Sequence, residues 1–267
     1  MKYTVRTVTV FLMMLVLSSP LFSQFSGGDG SEISPYEIRN LTELMNVSLF
    51  PDKFFVLKRS IRDSLREPLC SRVNPFTGNF NGNGFKITLA IKEHPGGHYA
   101  YKGLFSMAVG AEIRNVIVDG IILNDTVTGA WTGGIVGVPQ DGTKISNSVN
   151  LTNIISNYTC IGGIAGHAGE ETIVANSLNL GKIITDGTTG GIIGHFNAYT
   201  IGSVTFCINA GFIKGYSSAG GIIGRIDPSD SINFPMIEPT PTHCINTGGV
   251  ECQQEGMFCP FGITIIK

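Results

Sequence analysis

The chain is poor in charge: Asp, Glu, Lys and Arg make up 14% of its 267 residues, and 20 acidic side chains nearly cancel 18 basic ones for a formal net charge of −2. No basic excess exists to track a phosphate backbone, which sets nucleic-acid binding aside. Long apolar runs are also missing past residue 24, where none approaches the ~20 residues that a membrane-spanning helix needs. The six cysteines contain no C-x-x-C pair and have no histidines beside them at zinc-finger spacing. Glycine reaches 35 residues but lacks the every-third-residue period of a collagen, and the chain is too apolar for disorder.

What the chain does contain is one phrase four times: Gly133-Gly134-Ile135-Val136-Gly137, Gly162-Gly163-Ile164-Ala165-Gly166, Gly190-Gly191-Ile192-Ile193-Gly194 and Gly220-Gly221-Ile222-Ile223-Gly224. The closing glycines are 29, 28 and 30 residues apart, a period that marks a stacked-repeat architecture. Similarity extends into Ile145 to Asn150, Val174 to Asn179 and Val204 to Asn209, with Cys244-Ile245-Asn246 repeating the tail. Each unit reads as short β-branched segments separated by Gly, Asn, Ser and Thr, the grammar of strands and turns.

The spacing predicts an all-β fold: a single-stranded parallel β-helix with coils of about 29 residues, each hydrogen-bonded to the next at ~4.8 Å, right-handed by the general rule for parallel crossovers. Equivalent residues then stack in files. Expected files are Ile135, Ile164, Ile192, Ile222; Ile145, Val174, Val204; Val149, Leu178, Ile208, Ile245; and Ile154, Ile183, Ile213, Val250. A single coil cannot enclose its own apolar face, so stacking must supply the ~1.5–3 kcal/mol that burial of each such side chain contributes. Ser148 and Val149 cannot both face inward unless the chain bends between them. The Asn-x-Gly steps at Asn179-Leu180-Gly181, Asn209-Ala210-Gly211 and Asn246-Thr247-Gly248 suit corners in the left-handed region, with the amides aligned for a hydrogen-bonded ladder.

The ends read differently. Lys2 and Arg6, the apolar run Val8 to Leu17 and the small residues up to Ser23 have the three regions of a secretory signal peptide, here 1–23. Residues 24–79 are expected as an N-terminal cap region, where Asn40-Leu41-Thr42-Glu43 has capping-box spacing for a short helix. The β-helix proper is expected over 80–267, with a proline-marked loop at 227–242 and a C-terminal cap.

Few groups carry chemistry. In register, His167 and His195 become neighbours and Glu170 follows His167, a set able to run acid-base chemistry; the alternative is a solvated polar corner. Trp131, Tyr158 and Tyr216 precede the glycine phrases, where exposed aromatics stack on sugars or pack a corner. Cys207 and Cys244 share one file and are candidates for a disulfide or for stacked buried thiols, and Cys252 with Cys259 is a candidate staple of the C-terminal cap. No metal or cofactor is expected.

The glycine phrases resemble the GLUG-motif family of bacterial surface proteins, with isoleucine at the usual leucine. Gly27 to Ile38 followed by Leu41-Thr42-Glu43-Leu44 resembles the lead-in to such repeats. The resemblance implies an adhesin-like setting. It also extends to large extracellular peptidases that cleave immunoglobulin A, where the chemistry belongs to a separate zinc domain with a His-Glu-x-x-His helix that this sequence lacks. The expectation is therefore a secreted or cell-surface, non-catalytic adhesin-like binding or structural module, not an enzyme. Its partner would be an extracellular ligand, a glycan or a host surface protein. The alternative is a carbohydrate-active β-helix enzyme of the lyase or hydrolase kind.

Overall fold

A computed structural model describes residues 24–92, 101–124, 131–157, 160–197, 202–226 and 241–253. The segment 1–23 expected as a signal peptide, most of the loop expected at 227–242 and the expected C-terminal cap lie outside them. Strands run parallel and stack as a β-solenoid of about 5 turns with about 30 residues per turn.

Each regular coil crosses four sheets. Sheet A holds Tyr36–Ile38, Phe54–Leu57, Asn79–Asn81, Glu112–Arg114, Lys144–Ser146, Ile173–Ala175 and Ser203–Thr205 in that order. From sheet A the chain enters sheet B, where Lys86–Ile91 and Ile117–Asn124 are single long strands. In later coils the strand breaks in two, as in Val149–Asn150 with Asn153–Ser156 and Leu178–Asn179 with Ile183–Thr185. It then doubles back through sheet D (Trp131–Gly133, Cys160–Gly162, Thr188–Gly190, Ser218–Gly220) and returns along sheet C (Val136–Gln140, Ala165–Ala168, Ile193–Phe196, Ile223–Ile226).

The glycine phrase is the fold-back between D and C. A Cβ placed on Gly166 would lie 2.6 Å from Thr132 N, and one on Gly194 2.6 Å from Ile161 C, so backbone approaches backbone with no room for a side chain. The second glycine of each phrase rests on an asparagine: a Cβ on Gly134 would sit 2.5 Å from Asn150 Oδ1, and those on Gly163, Gly191 and Gly221 would collide with Asn179, Asn209 and Asn246. Those asparagines form a ladder. Asn150 Nδ2 donates to Asn179 Oδ1 at 2.8 Å, Asn179 to Asn209 at 2.7 Å and Asn209 to Asn246 at 2.7 Å. Their buried amides are thereby satisfied by one another.

Of the four expected files, those of Ile135, Ile145 and Ile154 lie in the dry interior: Ile135, Ile164 and Ile192, then Ile145, Val174 and Val204, then Ile154, Ile183 and Ile213 are fully buried. The file of Val149, Leu178, Ile208 and Ile245 is in register but points outward, with Ile208 40% and Ile245 43% exposed. Ser148, Ser177, Cys207 and Cys244 take the inner position instead. The bend that decides this parity is a left-handed residue just before them, with φ of 50° at Asn147 and Asn176, 53° at Phe206 and 54° at His243. Gly181, Gly211 and Gly248 are not left-handed, contrary to expectation. They are required because a Cβ would collide with the Thr152, Gly181 and Gly211 carbonyl oxygens.

The region 24–79 joins the same stack. Tyr36–Ile38, Phe54–Leu57 and Asn79–Asn81 pair in parallel, and the last pairs with Glu112–Arg114. No described strand occupies the sheet D position before Lys102, and aromatic rings fill the interior of these early coils. Phe55–Phe76, Phe76–Phe105 and Phe80–Phe105 have centroids 6.2, 4.5 and 5.3 Å apart. The helix Leu41–Asn46 forms where the capping spacing places it, Asn40 Oδ1 accepting from Glu43 N–H at 2.9 Å.

Candidate functional site

Where sheets C and D part, side chains from successive coils stack into one file. Tyr101 lies against Trp131, rings 5.2 Å apart and 16° from parallel; Trp131 meets His167 at 4.3 Å; His167 meets His195 at 4.6 Å. His195 is in register with Arg225. In-register stacking sets His167, His195 and Arg225 one inter-strand spacing apart along sheet C, and Trp131 reaches His167 from the adjoining sheet D. Trp131, His167 and His195 are half-buried, Tyr101 is buried and Arg225 exposed. Ring faces are taken up by neighbouring rings, and one nitrogen of each imidazole, His167 Nδ1 and His195 Nε2, is buried, while Arg225 at the end of the file is exposed. That chemistry suits hydrogen bonding and charge recognition by a rigid edge.

Of the catalytic candidates, the two imidazoles meet. Glu170 stands exposed on the turn after the strand, with its backbone carbonyl accepting from Gly142 N–H at 3.1 Å. Among the described residues no group of three or more His, Cys, Asp or Glu side chains is gathered as a metal would require. Of the aromatic candidates, Trp131 is the centre of the file. Tyr216 stands apart from it, 49% exposed at the turn between sheets B and D. Tyr158 lies outside the described residues. The sequence reading missed Tyr101, although it stands one repeat before Trp131.

The cysteine pair Cys207 and Cys244 is not a disulfide: both are free and buried. Each thiol turns inward to a carbonyl, Cys207 Sγ donating to Thr205 O at 3.4 Å and Cys244 Sγ to Thr242 O at 3.4 Å. The neighbouring Cys244 sulfur, with burial, pushes the Cys207 thiol above its ordinary range. Cys252 is disulfide-bonded; its expected partner Cys259 lies outside the described residues.

A second concave surface has no counterpart in the sequence reading. A groove of about 410 Å³ opens on the outer face of sheet A, lined among others by Glu32, Phe54, Lys58, Glu112 and Arg114. Part of its polar lining is already committed: Arg114 Nη1 donates to Asn79 Oδ1 and to Glu112 Oε1, each at 2.8 Å. At its rim the Arg39 guanidinium and then the Lys58 ammonium hold the Glu37 carboxyl below the usual carboxylate range.

A scan against protein-family models gives no match, and a search of curated proteins gives none. Among solved structures the fold is similar to a Bacteroides ovatus protein named as a "putative immunoglobulin A1 protease", with a TM-score of 0.63 at 19% identity over 91% of this chain and 84% of that one. It is also similar to a protein named IgA1 protease, with a TM-score of 0.55 at 16% identity over 85% of this chain and 21% of that one. At these identities the likeness is one of fold. Both are named as proteases, and on that finding the expectation that the chain is not an enzyme is withdrawn.

Proposed function

We propose that this chain is an exported β-solenoid of GLUG-type repeats that serves immunoglobulin-directed proteolysis, engaging the protein or surface on which cleavage takes place. The observation that carries this reading is the fold likeness along 91% of the chain to a protein named for immunoglobulin A1 cleavage. Three features support it. The N-terminal segment reads as an export signal. No helix among the described residues is long and apolar enough to cross a membrane. The file from Tyr101 through Trp131, His167 and His195 to Arg225 is a rigid edge composed of residue types that dominate protein recognition.

The test is to immobilise immunoglobulin A1 and measure binding of the purified protein, while following the heavy chain by electrophoresis after incubation. Expected are a saturable signal and its weakening by about tenfold or more in Trp131→Ala and in Arg225→Ala, since anchors of this kind contribute ~1.4 kcal/mol or above. An intact heavy chain together with no binding at high micromolar protein overturns the proposal.

A further inference from the structure

The strands of sheet B are apolar on both faces. Ile154 and Ile155, Ile183 and Ile184, and Ile121, Ile122 and Leu123 are consecutive hydrophobic residues, although alternation sends one of each pair outward. Such runs belong to sheets covered on both sides. Here the inner side is covered, and no described helix or strand lies on the outer one. Ile155, Leu180, Ile208 and Ile245 are 36–47% exposed there, and Phe206 adjoins them at 56%. A contiguous apolar face of this kind marks an interaction surface.

We propose that the outer face of sheet B binds the same face of a second copy of this chain, two-fold and face to face; this does not depend on the protease reading. Two observations select a second copy. The first is size: five coils at ~4.8 Å, each presenting about eight residues at ~3.3 Å, give about 630 Å² per copy and about 1,300 Å² in all, which reaches the range of specific interfaces. The second is charge. The face carries one ion pair towards its first coils, Lys86 with Asp119 at 2.9 Å, and one at its last, Lys214 with Glu251 at 3.4 Å; between them the exposed Lys182 lays its ammonium over the Phe212 ring at 5.6 Å. The two pairs also lie at opposite ends of the strands, Lys86 in the file of Ile117 and Lys214 in the file of Leu123, Ile155 and Ile184, so a two-fold axis running diagonally in the plane of the face, through its middle, lays the first pair of one copy over the last pair of the other with each cation facing an anion. The apolar side chains around Lys182 meet their own kind, the lysine ammonium being held over its own Phe212 ring, and the two-fold closes the assembly at two copies.

Sedimentation velocity of the purified protein across a micromolar concentration series tests this. The expected result is a dimer that Leu180→Asp converts to monomer, with self-association weakened about tenfold or more, while the far-UV spectrum is kept. Val73→Asp, at a position 94% exposed and outside this face, leaves the dimer intact. Leu180→Cys, on the middle coil, is expected to give a covalent dimer under mild oxidation. A wild-type protein that is monomeric at every concentration overturns the proposal and leaves the face to another partner. So does a dimer that survives Leu180→Asp, or a folded Leu180→Cys dimer that does not cross-link.

Discussion

The glycine at 163 and the asparagine at 179 are halves of one contact. A Cβ on Gly163 would strike both the Gly191 carbonyl oxygen and the Asn179 amide carbon, neither of which can retreat without shifting a coil. Gly163→Ala is therefore expected to cost about 1–3 kcal/mol, and to lower the melting temperature by roughly 2–4 °C for each kcal/mol in a chain of this size. Gly84 is the contrast. Its φ is 74° with no atom within 4 Å of an added Cβ, so Gly84→Ala should cost only the ~1 kcal/mol of left-handed backbone. The asparagine can be tested with its nearest isostere. Asn179 Nδ2 donates to Asn209 Oδ1 at 2.7 Å and to Gly181 O at 3.2 Å. Asn179→Asp turns that donor into an acceptor facing two acceptors in a fully buried site, at an expected cost of about 3 kcal/mol or more. Those acceptors raise the folded-state pKa of the new carboxyl, so the stability it retains is greatest at low pH and is lost as pH rises through that value. Denaturant midpoints at several pH values read this directly, and a pH-independent loss would contradict it.

At the scale of the strand and its corner, the left-handed file explains what the sequence left ambiguous. Asn115, Asn147 and Asn176 occupy it first, and asparagine tolerates that conformation through its short polar side chain. Phe206 and His243 take over in later coils, their rings stacked 4.7 Å apart and 11° from parallel. Replacing Phe206 by the asparagine of its own file is expected to stabilise the protein by somewhat under ~1 kcal/mol. Backbone strain is relieved while a ring already 56% exposed gives up little burial. A lowered denaturant midpoint for Phe206→Asn would mean that the stack outweighs the strain. The neighbouring inner file gives a matching expectation. Ser148 and Ser177 bond to the Ser146 and Ala175 carbonyls at 2.9 and 2.8 Å, so Cys207→Ser finds Thr205 O waiting and should change stability by less than ~1 kcal/mol. This corner is also where legibility ends. The repeated Gly-Gly-Ile phrase, the asparagine ladder and three of the four files follow from spacing alone. The inward turn of Ser148, with Val149 left outside, depends on one left-handed residue whose identity changes from Asn to Phe to His along the stack, so no constant letter announces it. The file at the C–D wedge was half legible for a like reason. His167 and His195 share a position in the phrase, whereas Tyr101 and Trp131 join them from a different sheet.

Over the whole molecule, stability in a stack of coils is close to a sum of nearest-neighbour terms, so the position of a lesion along the axis should matter as much as its chemistry. Residues 24–79 read in sequence as a cap region because they offer no glycine phrase to align and fill their interior with phenylalanine; in space their strands pair in parallel with the coils that follow. Ile192 and Ile222 allow a clean comparison, since both occupy one interior file and are 0% and 1% exposed. Truncation of either to alanine removes the same methyl groups, at about 2–5 kcal/mol if the site cannot collapse. Ile192 has coils on both sides, linked through Ile164 N–H to Ile192 O at 2.9 Å and Ile192 N–H to Ile222 O at 2.9 Å. Its loss should therefore weaken both neighbours and lower the main cooperative transition. Ile222 belongs to the last coil whose glycine phrase is described, and its loss should fray that end while amides of the central coils keep their protection. Amide hydrogen exchange resolved by peptide reads both cases. If Ile222→Ala strips protection evenly from Tyr36–Ile38 to Ser203–Thr205, the coils do not behave as neighbours in a line but as one globular core, and the nearest-neighbour account of this fold fails.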